Sequence, residues 1–108
     1  MTPLTRRAVV ATAAALAMPR RGRADEAAVA IENFTFTPAT ITVSAHSRVT
    51  WTNRDDIPHT VTSAATPRLF HSGPLDSGDS FSFVFDISGT FRYFCALHPH
   101  MQGTVVVT

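Results

Sequence analysis

The sequence FRYFCALHPHMQGTVVV, residues 91–107, contains two extended segments joined by a short loop. Alternation places Phe91, Tyr93 and Cys95 on one side of the first segment, which is the pattern of a half-buried strand. The second segment is rich in valine, as strands are. The loop between the segments carries a thiolate, an imidazole and a thioether, at Cys95, His98 and Met101. The stretch therefore predicts two strands with soft metal ligands gathered at one end.

The rest of the chain after residue 24 is also patterned for strands. No window of eleven or more residues has apolar positions at helical spacing. An alternating apolar set opens at Val29 and continues through Phe34 to Phe36, and residues 63–79 predict a loop with at most one short strand. Seven or so short strands with frequent turns predict an all-β antiparallel sandwich or barrel. Alternation also predicts four aromatic residues in the core: Trp51, Phe81, Phe83 and Phe85.

The first two dozen residues have the features of a secretory signal. Two adjacent arginines precede an apolar run, residues 8–18, that is shorter than the roughly 20 residues needed to span a bilayer. Small residues predict cleavage after Ala24, with cleavage after Ala17 as the alternative. The arginine pair is also compatible with the twin-arginine route. We therefore expect residues 1–24 to be removed on export to the periplasm.

The remaining residues, 25–108, are enough for one small domain, and we expect no membrane span in them. They keep four arginines and eight acidic residues and contain no lysine, so their net charge is −4. A mildly acidic domain without a basic patch does not suit nucleic-acid binding. It suits a protein partner with a basic docking face.

Cys95 is the only cysteine, so the chain has no internal disulfide. An unpaired cysteine in an exported protein calls for a reason, which is either metal ligation or an inert buried thiol. A catalytic thiol activated by His59 or His98 is a further possibility. Nothing else in the sequence resembles a hydrolase, because no helix start follows the cysteine and no oxyanion donor is evident.

A second imidazole, His59, follows Pro58 far upstream of the cysteine. Structural zinc sites usually combine several thiolates or imidazoles and rarely use a thioether, so zinc fits poorly. Two imidazoles, one thiolate and one thioether are instead the ligand set of a blue-copper electron-transfer site. The sequence therefore favours copper over zinc or another metal.

The chain resembles a cupredoxin of the plastocyanin, amicyanin and pseudoazurin group over nearly all of residues 25–108. The resemblance is carried by IENFTFTP at 31–38, VTWTN at 49–53, DIPHTV at 56–61 and the stretch quoted above. Two residues separate the cysteine from the following histidine, and two more separate that histidine from the methionine. This short spacing is most similar to amicyanin.

The resemblance implies a cupredoxin-like Greek-key β-sandwich of about seven strands that binds one copper ion, as Cu⁺ or Cu²⁺. It implies His59, Cys95 and His98 as ligands in a trigonal plane, with Met101 as the axial ligand. It also implies a monomer that is not an enzyme and that carries electrons between transient partners, such as a cytochrome c-like protein or a periplasmic oxidoreductase. A periplasmic copper carrier is the alternative, and a structural sandwich with a vestigial site is a third possibility.

Some positions around these residues carry separate expectations. Many relatives have an asparagine after the first histidine that braces the cysteine loop, and we expect Thr60 to brace it less firmly. Asn33 is predicted either to donate a hydrogen bond near the cysteine sulfur or to cap a strand end. Asp55 and Asp56 are predicted to form a solvated loop.

The three other histidines are not predicted to be metal ligands. His46 and His71 are expected to be turn or solvated residues, as exposed histidines commonly are. His100 lies two residues from His98 on the same loop. We expect it to join the partner-facing surface, where a histidine can change charge near neutral pH.

Overall fold

The computed structural model describes residues 25–108, so the predicted signal segment, residues 1–24, lies outside the described residues. Among the described residues, no helix has the length and apolar character needed to cross a bilayer. The same residues form eight strands in chain order: β1 (Glu26–Glu32), β2 (Thr35–Thr37), β3 (Thr40–Val43), β4 (Ser47–Asn53), β5 (Thr62–Ser63), β6 (Ser80–Phe85), β7 (Gly89–Phe94) and β8 (Gln102–Val107).

The strands form two four-stranded sheets, in the orders β2-β1-β4-β6 and β3-β8-β7-β5. The sheets pack face to face through aromatic rings. The ring centroid of Phe36 in the first sheet lies 4.7 Å from that of Tyr93 in the second. Trp51, also in the first sheet, lies 5.3 Å from the same tyrosine ring. The predicted all-β sandwich is therefore confirmed.

The core between the sheets is built by the alternating residues that the sequence predicted. Trp51 and Phe85 are fully buried, and Phe81 and Phe83 pack against them as partly buried residues. Burial raises the pKa of Tyr93 to about 12, so its phenol is a neutral member of the core. The predicted core role of these aromatic residues is confirmed.

The strand pairing differs from the antiparallel arrangement that the sequence predicted. β1 pairs with β4 in parallel, and β3 pairs with β8 in parallel, whereas the other pairs are antiparallel. The chain leaves the first sheet after β2, forms β3 in the second sheet and returns to the first as β4. Because of this crossing, β4 runs beside β1 in the same direction.

The predicted continuous segment from Val29 to Phe36 is split by a tight turn. Asn33 and Phe34 both have positive φ, of 56° and 57°, and β2 folds back on β1 after them. Phe34 is consequently 44% exposed and not a member of the inner face. This extra hairpin accounts for eight strands where about seven were predicted.

The long loop between β5 and β6 confirms the prediction of at most one short strand. Among the described residues, the loop adds only two isolated bridges, which pair its residues Leu75 and His71 with His59 and Thr62. These bridges draw the loop alongside β5 and the segment before it. One end of the sandwich thus brings together the β1–β2 turn, the segment around His59 and the loop after β7.

Candidate metal centre

Three side chains from separate parts of the sequence converge at this end of the sandwich. The Sγ atom of Cys95 lies 3.7 Å from Nδ1 of His59 and 3.8 Å from Nδ1 of His98. All three donor atoms lie within 4.8 Å of one another. His59 and Cys95 are fully buried, while His98 is partly exposed. The three residues form a possible metal site with one edge toward solvent.

The loop after β7 is held by its own backbone hydrogen bonds. The carbonyl of Cys95 accepts the N–H of His98 at 3.2 Å, and the carbonyl of His98 accepts the N–H of Met101 at 2.9 Å. The N–H of Cys95 donates in turn to the carbonyl of Met101 at 3.1 Å. Two successive turns therefore return the chain to its starting point. Met101 is 2% exposed at the end of the loop.

His59 is fixed at both its backbone and its ring. Its backbone exchanges two hydrogen bonds with Leu75, of 3.2 and 2.7 Å. Its ring atom Nε2 lies 2.8 Å from Oδ2 of Asp55. A carboxylate can only accept, so a neutral His59 carries its hydrogen on Nε2. Nδ1 then presents its lone pair toward Cys95, as a metal ligand requires.

The expectation that Asp55 and Asp56 form a solvated loop is wrong for Asp55. Its side chain is 13% exposed, and its carboxylate accepts the N–H groups of Asn33 at 2.7 Å and Phe34 at 2.9 Å as well as the His59 ring. Burial acts to raise the pKa of this carboxyl, but the hydrogen bonds from Phe34, Asn33 and His59 outweigh it and hold the pKa below its usual value of 3.8. Asp56, by contrast, is exposed as predicted.

Asn53, at the end of β4, is a second buried polar residue that the sequence did not single out. Its Nδ2 donates to the carbonyls of Ile57 at 2.8 Å and Leu75 at 2.9 Å, and its Oδ1 accepts the N–H of Asp55. These bonds shape the segment that leads to His59. The only local sequence feature that pointed to these hydrogen bonds is an asparagine at the end of a half-apolar strand, followed by an acidic loop.

Thr60 makes the contacts that were expected to be weak. Its hydroxyl accepts the N–H of Ala96 at 2.7 Å, so the brace to the cysteine loop is present. Its backbone N–H donates to Sγ of Cys95 at 3.3 Å. Among the described residues, the predicted hydrogen bond from Asn33 to the sulfur is not found. Asn33 lies directly after the last residue of β1, at the strand end that was the other expectation, and its backbone N–H donates to Asp55.

Phe34, which lies in the β1–β2 turn, covers the rings of His59 and His98. Its ring meets the ring of His59 edge-on at 5.3 Å and that of His98 at 5.0 Å. The His59 and His98 rings themselves lie 5.0 Å apart. The sequence placed Phe34 in a strand, and only the positive-φ turn brings it over the site.

The remaining histidines lie outside the donor cluster. Nδ1 of His46 lies 3.0 Å from a carboxylate oxygen of Asp86, in an exposed turn. His71 is exposed, but its Nδ1 lies 2.8 Å from the hydroxyl of Thr62. His100 is exposed, and its ring centroid lies 6.4 Å from that of His98.

The distances between the donor atoms suit a metal ion that Cys95, His59 and His98 would hold together. An ion bonded to a thiolate at about 2.3 Å and to an imidazole at about 2.1 Å, with an angle near 120°, holds the two donor atoms about 3.8 Å apart. In the structure, Sγ of Cys95 lies 3.7 Å from Nδ1 of His59 and 3.8 Å from Nδ1 of His98. The burial of His59 and Cys95 and the orientation of Nδ1 of His59 toward the sulfur also suit a thiolate-binding metal.

Comparison with known proteins places the chain in a family. The family of the Cupredoxin-like domain matches residues 6–107. Amicyanin-alpha of Methylorubrum extorquens is 36% identical over 98 residues, which are 88% of this chain and 82% of that protein. Plastocyanin of Scenedesmus fuscus is 35% identical over 83 residues, covering 67% of this chain and 85% of that protein.

A solved structure is similar over most of the chain. It is the reduced Cu(I) form, at pH 4, of a proline-to-glycine variant of amicyanin. It is 28% identical, covers 81% of this chain and 87% of its own, and superposes with a TM-score of 0.72. With its two packed sheets and its His-Cys-His cluster, the chain belongs to the cupredoxin-like domain family.

Proposed function

We propose that this protein binds one copper ion and carries single electrons between larger redox proteins. The observation that supports this most is the convergence of His59, Cys95 and His98 at separations of 3.7 and 3.8 Å. A bound copper ion would supply the Cu⁺/Cu²⁺ couple at this point. Related amicyanins are described in both reduced Cu(I) and oxidised forms, which agrees with this proposal. The protein would be an electron carrier and not an enzyme.

Each of the four residues has a distinct role in this proposal. The thiolate of Cys95 and the Nδ1 atoms of His59 and His98 would hold the ion in a plane. Met101 would supply the weak axial thioether, because it is buried at the end of the same hydrogen-bonded loop. A cage fixed by backbone bonds changes little between oxidation states, so electron transfer would require little rearrangement.

His98 is the proposed exit for the electron. It is the partly exposed member of the donor cluster, and exposed Leu97, Pro99 and His100 surround it on the loop. Phe34 extends this surface from the β1–β2 turn. A small, partly apolar face suits the limited contact areas of transient redox encounters.

The proposed setting is the periplasm, where the protein acts as a monomer. The supporting features are the signal-like residues 1–24 and the net charge of −4 over residues 25–108. The partners would be redox proteins with a basic docking face, such as a cytochrome c-like protein or a periplasmic oxidoreductase.

Copper loading followed by redox cycling tests the function. We expect an intense visible thiolate-to-copper band, a mononuclear copper EPR signal, and retention of the ion in a competing chelator through repeated oxidation and reduction. Transfer of the copper to the chelator during cycling would instead favour the copper-carrier alternative. A protein that remains colourless after copper addition would favour a structural sandwich with a vestigial site.

The variant Cys95→Ser provides the matched control for this experiment. Serine keeps the size of the side chain but removes the thiolate, so the visible band should disappear. Persistence of the same band in this variant would contradict the proposed ligand set.

A further inference from the structure

A chain of hydrogen bonds connects the surface of the protein to the loop that carries Cys95. Nδ1 of His71 lies 2.8 Å from Oγ1 of Thr62, and that oxygen lies 2.9 Å from Oγ1 of Thr60. The Thr60 hydroxyl accepts the N–H of Ala96 at 2.7 Å. His71 is exposed, whereas Thr62 is fully buried and Thr60 is 2% exposed. The hydrogen-bond chain therefore runs from an exposed histidine to Ala96, the residue that follows the cysteine.

The available hydrogens determine the direction of this chain. Its last contact is fixed, because the N–H of Ala96 can only donate to Thr60. If Nδ1 of His71 is an acceptor, the Thr60 hydroxyl donates to Thr62 and the Thr62 hydroxyl donates to His71. Three hydrogens then serve three contacts. Both buried hydroxyls, of Thr60 and Thr62, then donate one hydrogen bond and accept one.

A hydrogen on Nδ1 of His71 makes the number of hydrogens exceed the number of contacts. The three contacts then contain four hydrogens, so one hydroxyl hydrogen of Thr60 or Thr62 has no acceptor in the chain. Among the described residues, these two hydroxyls have no other hydrogen-bond partner. A buried donor without a partner is unfavourable. Neutral His71 with its hydrogen on Nε2 therefore fits the chain, and the doubly protonated ring does not.

The charged groups around His71 do not replace this contact. Arg68, on the same loop, places its guanidinium 5.6 Å above the ring of Phe94. Arg92 lies on the adjoining strand β7, and the acidic residues of the loop are at its other end. There the carboxylate of Asp79 accepts the N–H of Asp76. No carboxylate bonds to His71 among the described residues, so Thr62 is its polar partner.

The groups of the candidate metal centre lie beside Ala96, where the hydrogen-bond chain ends. Thr60 donates its own N–H to Sγ of Cys95, so one residue holds both the sulfur and the loop beside it. The rings of His59 and His98 contact the same sulfur. Because Cys95 directly precedes Ala96, any test must separate the effect of this cluster on Ala96 from that of His71.

We propose that His71 is a positioning residue for the cysteine loop and that its protonation is transmitted through Thr62 and Thr60 to Ala96. The neutral ring orders both hydroxyls in one direction and fixes the acceptor for the Ala96 N–H. Protonation reverses the His71 contact or releases the ring into solvent, and the buried hydroxyls lose their single arrangement. The exposed position of His71 gives the loop a link to the pH of the surroundings.

The test is a pH titration of the copper-free, ¹⁵N-labelled protein followed by NMR. The ring nitrogens of His71 report its protonation, and the amide shifts of Ala96 report the loop. We expect neutral His71 to carry its hydrogen on Nε2 and the Ala96 amide to show a step at the His71 midpoint. Absence of that step from the wild-type protein would overturn the proposal.

Two variants separate transmission through the chain from direct effects of His59, Cys95 and His98. His71→Gln removes the titrating ring, and Thr62→Val removes the intermediate hydroxyl while keeping the side-chain shape. We expect both to lose the His71-linked step at Ala96, whereas steps from the other groups remain. Persistence of the step at the same midpoint in Thr62→Val, where His71 still titrates, would contradict transmission through Thr62.

Two further variants are matched controls. Thr62→Ser keeps a hydroxyl at the same position, so the step at Ala96 should return. His46→Gln removes a different exposed histidine, whose partner is Asp86, and should leave the step unchanged. Loss of the step in His46→Gln would show that general charge, and not the chain, carries the effect.

The consequence for copper rests on the proposed function and is measured separately. In the copper-loaded protein, the reduction potential should contain a pH-dependent component that follows His71 and is absent from His71→Gln. Because the NMR titration needs no copper, failure to bind copper would refute the proposed function without affecting the chain. If the protein binds copper and cycles as expected but the Ala96 amide shows no step, the proposed function stands and transmission from His71 is refuted.

Discussion

Among single residues, Asp55 has the largest role that the sequence did not reveal. Its carboxylate joins the β1–β2 turn to the His59 ring through three hydrogen bonds. Partners of this kind orient a ligating histidine and raise its basicity. In the sequence, Asp55 is 22 residues from Asn33, 21 from Phe34 and four from His59. No local pattern predicts contacts across such a distance, and an acidic pair in a loop is usually solvated.

Replacing Asp55 by Asn should therefore weaken copper binding. The amide keeps an oxygen acceptor but loses the charge that supports Nε2–H of His59. Substitutions at such positions typically reduce metal affinity by about 10- to 100-fold, and we expect the lower end of that range. Competition with a chelator of known affinity measures the change. Asp56→Asn is the control because Asp56 is exposed, and equal weakening in the two variants would contradict the specific role of Asp55.

Met101 permits a second prediction about a single residue. Leucine is close to methionine in volume and can fill the buried position, but it cannot donate to a metal. If Met101 is the axial ligand as proposed, loss of its thioether should disfavour Cu²⁺ more than Cu⁺. Copper-loaded Met101→Leu should then keep its copper and have a higher reduction potential. A tenfold change in this preference corresponds to about 59 mV for a one-electron couple, and we expect a rise of that order. Voltammetry measures it, and a fall in potential would refute the axial role.

The strands show how far the sequence determined the fold. Alternation located β4, β6 and β7, because a strand with one face in the core has apolar residues at every second position. The run of valines located β8. The same period continues through Asn33 and Phe34, where the chain turns at positive φ. Phenylalanine rarely adopts this conformation, and here the carboxylate of Asp55 holds both N–H groups of the turn. The parallel pairs were missed because crossings between sheets leave no mark in a strand's own pattern.

The pairing of β7 with β8 depends on a glycine opposite a tyrosine. Gly103 faces Tyr93 across the two strands, and a Cβ atom at this glycine would overlap Cζ and Oη of the tyrosine ring. Phe36 and Trp51 pack on the same ring, so it has little room to move. Gly103→Ala should lower the free energy of unfolding by about 1–3 kcal/mol, the usual cost of overpacking.

Chemical denaturation of the copper-free protein measures the effect of Gly103→Ala, with Gln102→Ala as the control. Gln102 is the exposed neighbour on the same strand, so its substitution should change stability by less than about 0.5 kcal/mol. Equal stability of the two variants would show that the tyrosine ring shifts without cost. A shift of the visible band in copper-loaded Gly103→Ala would show that the strain reaches Cys95, two residues after Tyr93.

For the whole molecule, the charge of the domain predicts how it would approach the proposed redox partners. Residues 25–108 carry four arginines and eight acidic residues, for a net charge of −4. The loop around His98, by contrast, presents Leu97 and Pro99, which bear no charge. Long-range attraction must therefore come from the summed field of the domain, with the loop supplying the close contact. Such steering weakens as salt shortens the Debye length from about 30 Å at 0.01 M to about 8 Å at 0.15 M.

Electron transfer to a basic cytochrome c should accordingly slow with rising salt, by roughly tenfold or more, the lower end of typical steering effects. Transfer to an anionic inorganic oxidant should accelerate over the same range, because repulsion is then screened. Stopped-flow rates at several salt concentrations provide the measurement. The double variant Asp25→Asn, Glu26→Gln changes the net charge of residues 25–108 to −2. Both substitutions lie at the start of β1, at the opposite end of that strand from the turn over the candidate metal centre. If the field of the whole domain steers the encounter, this variant must reduce both salt dependences. If the salt dependences of the variant equal those of the wild type, the steering comes instead from charges close to the loop around His98.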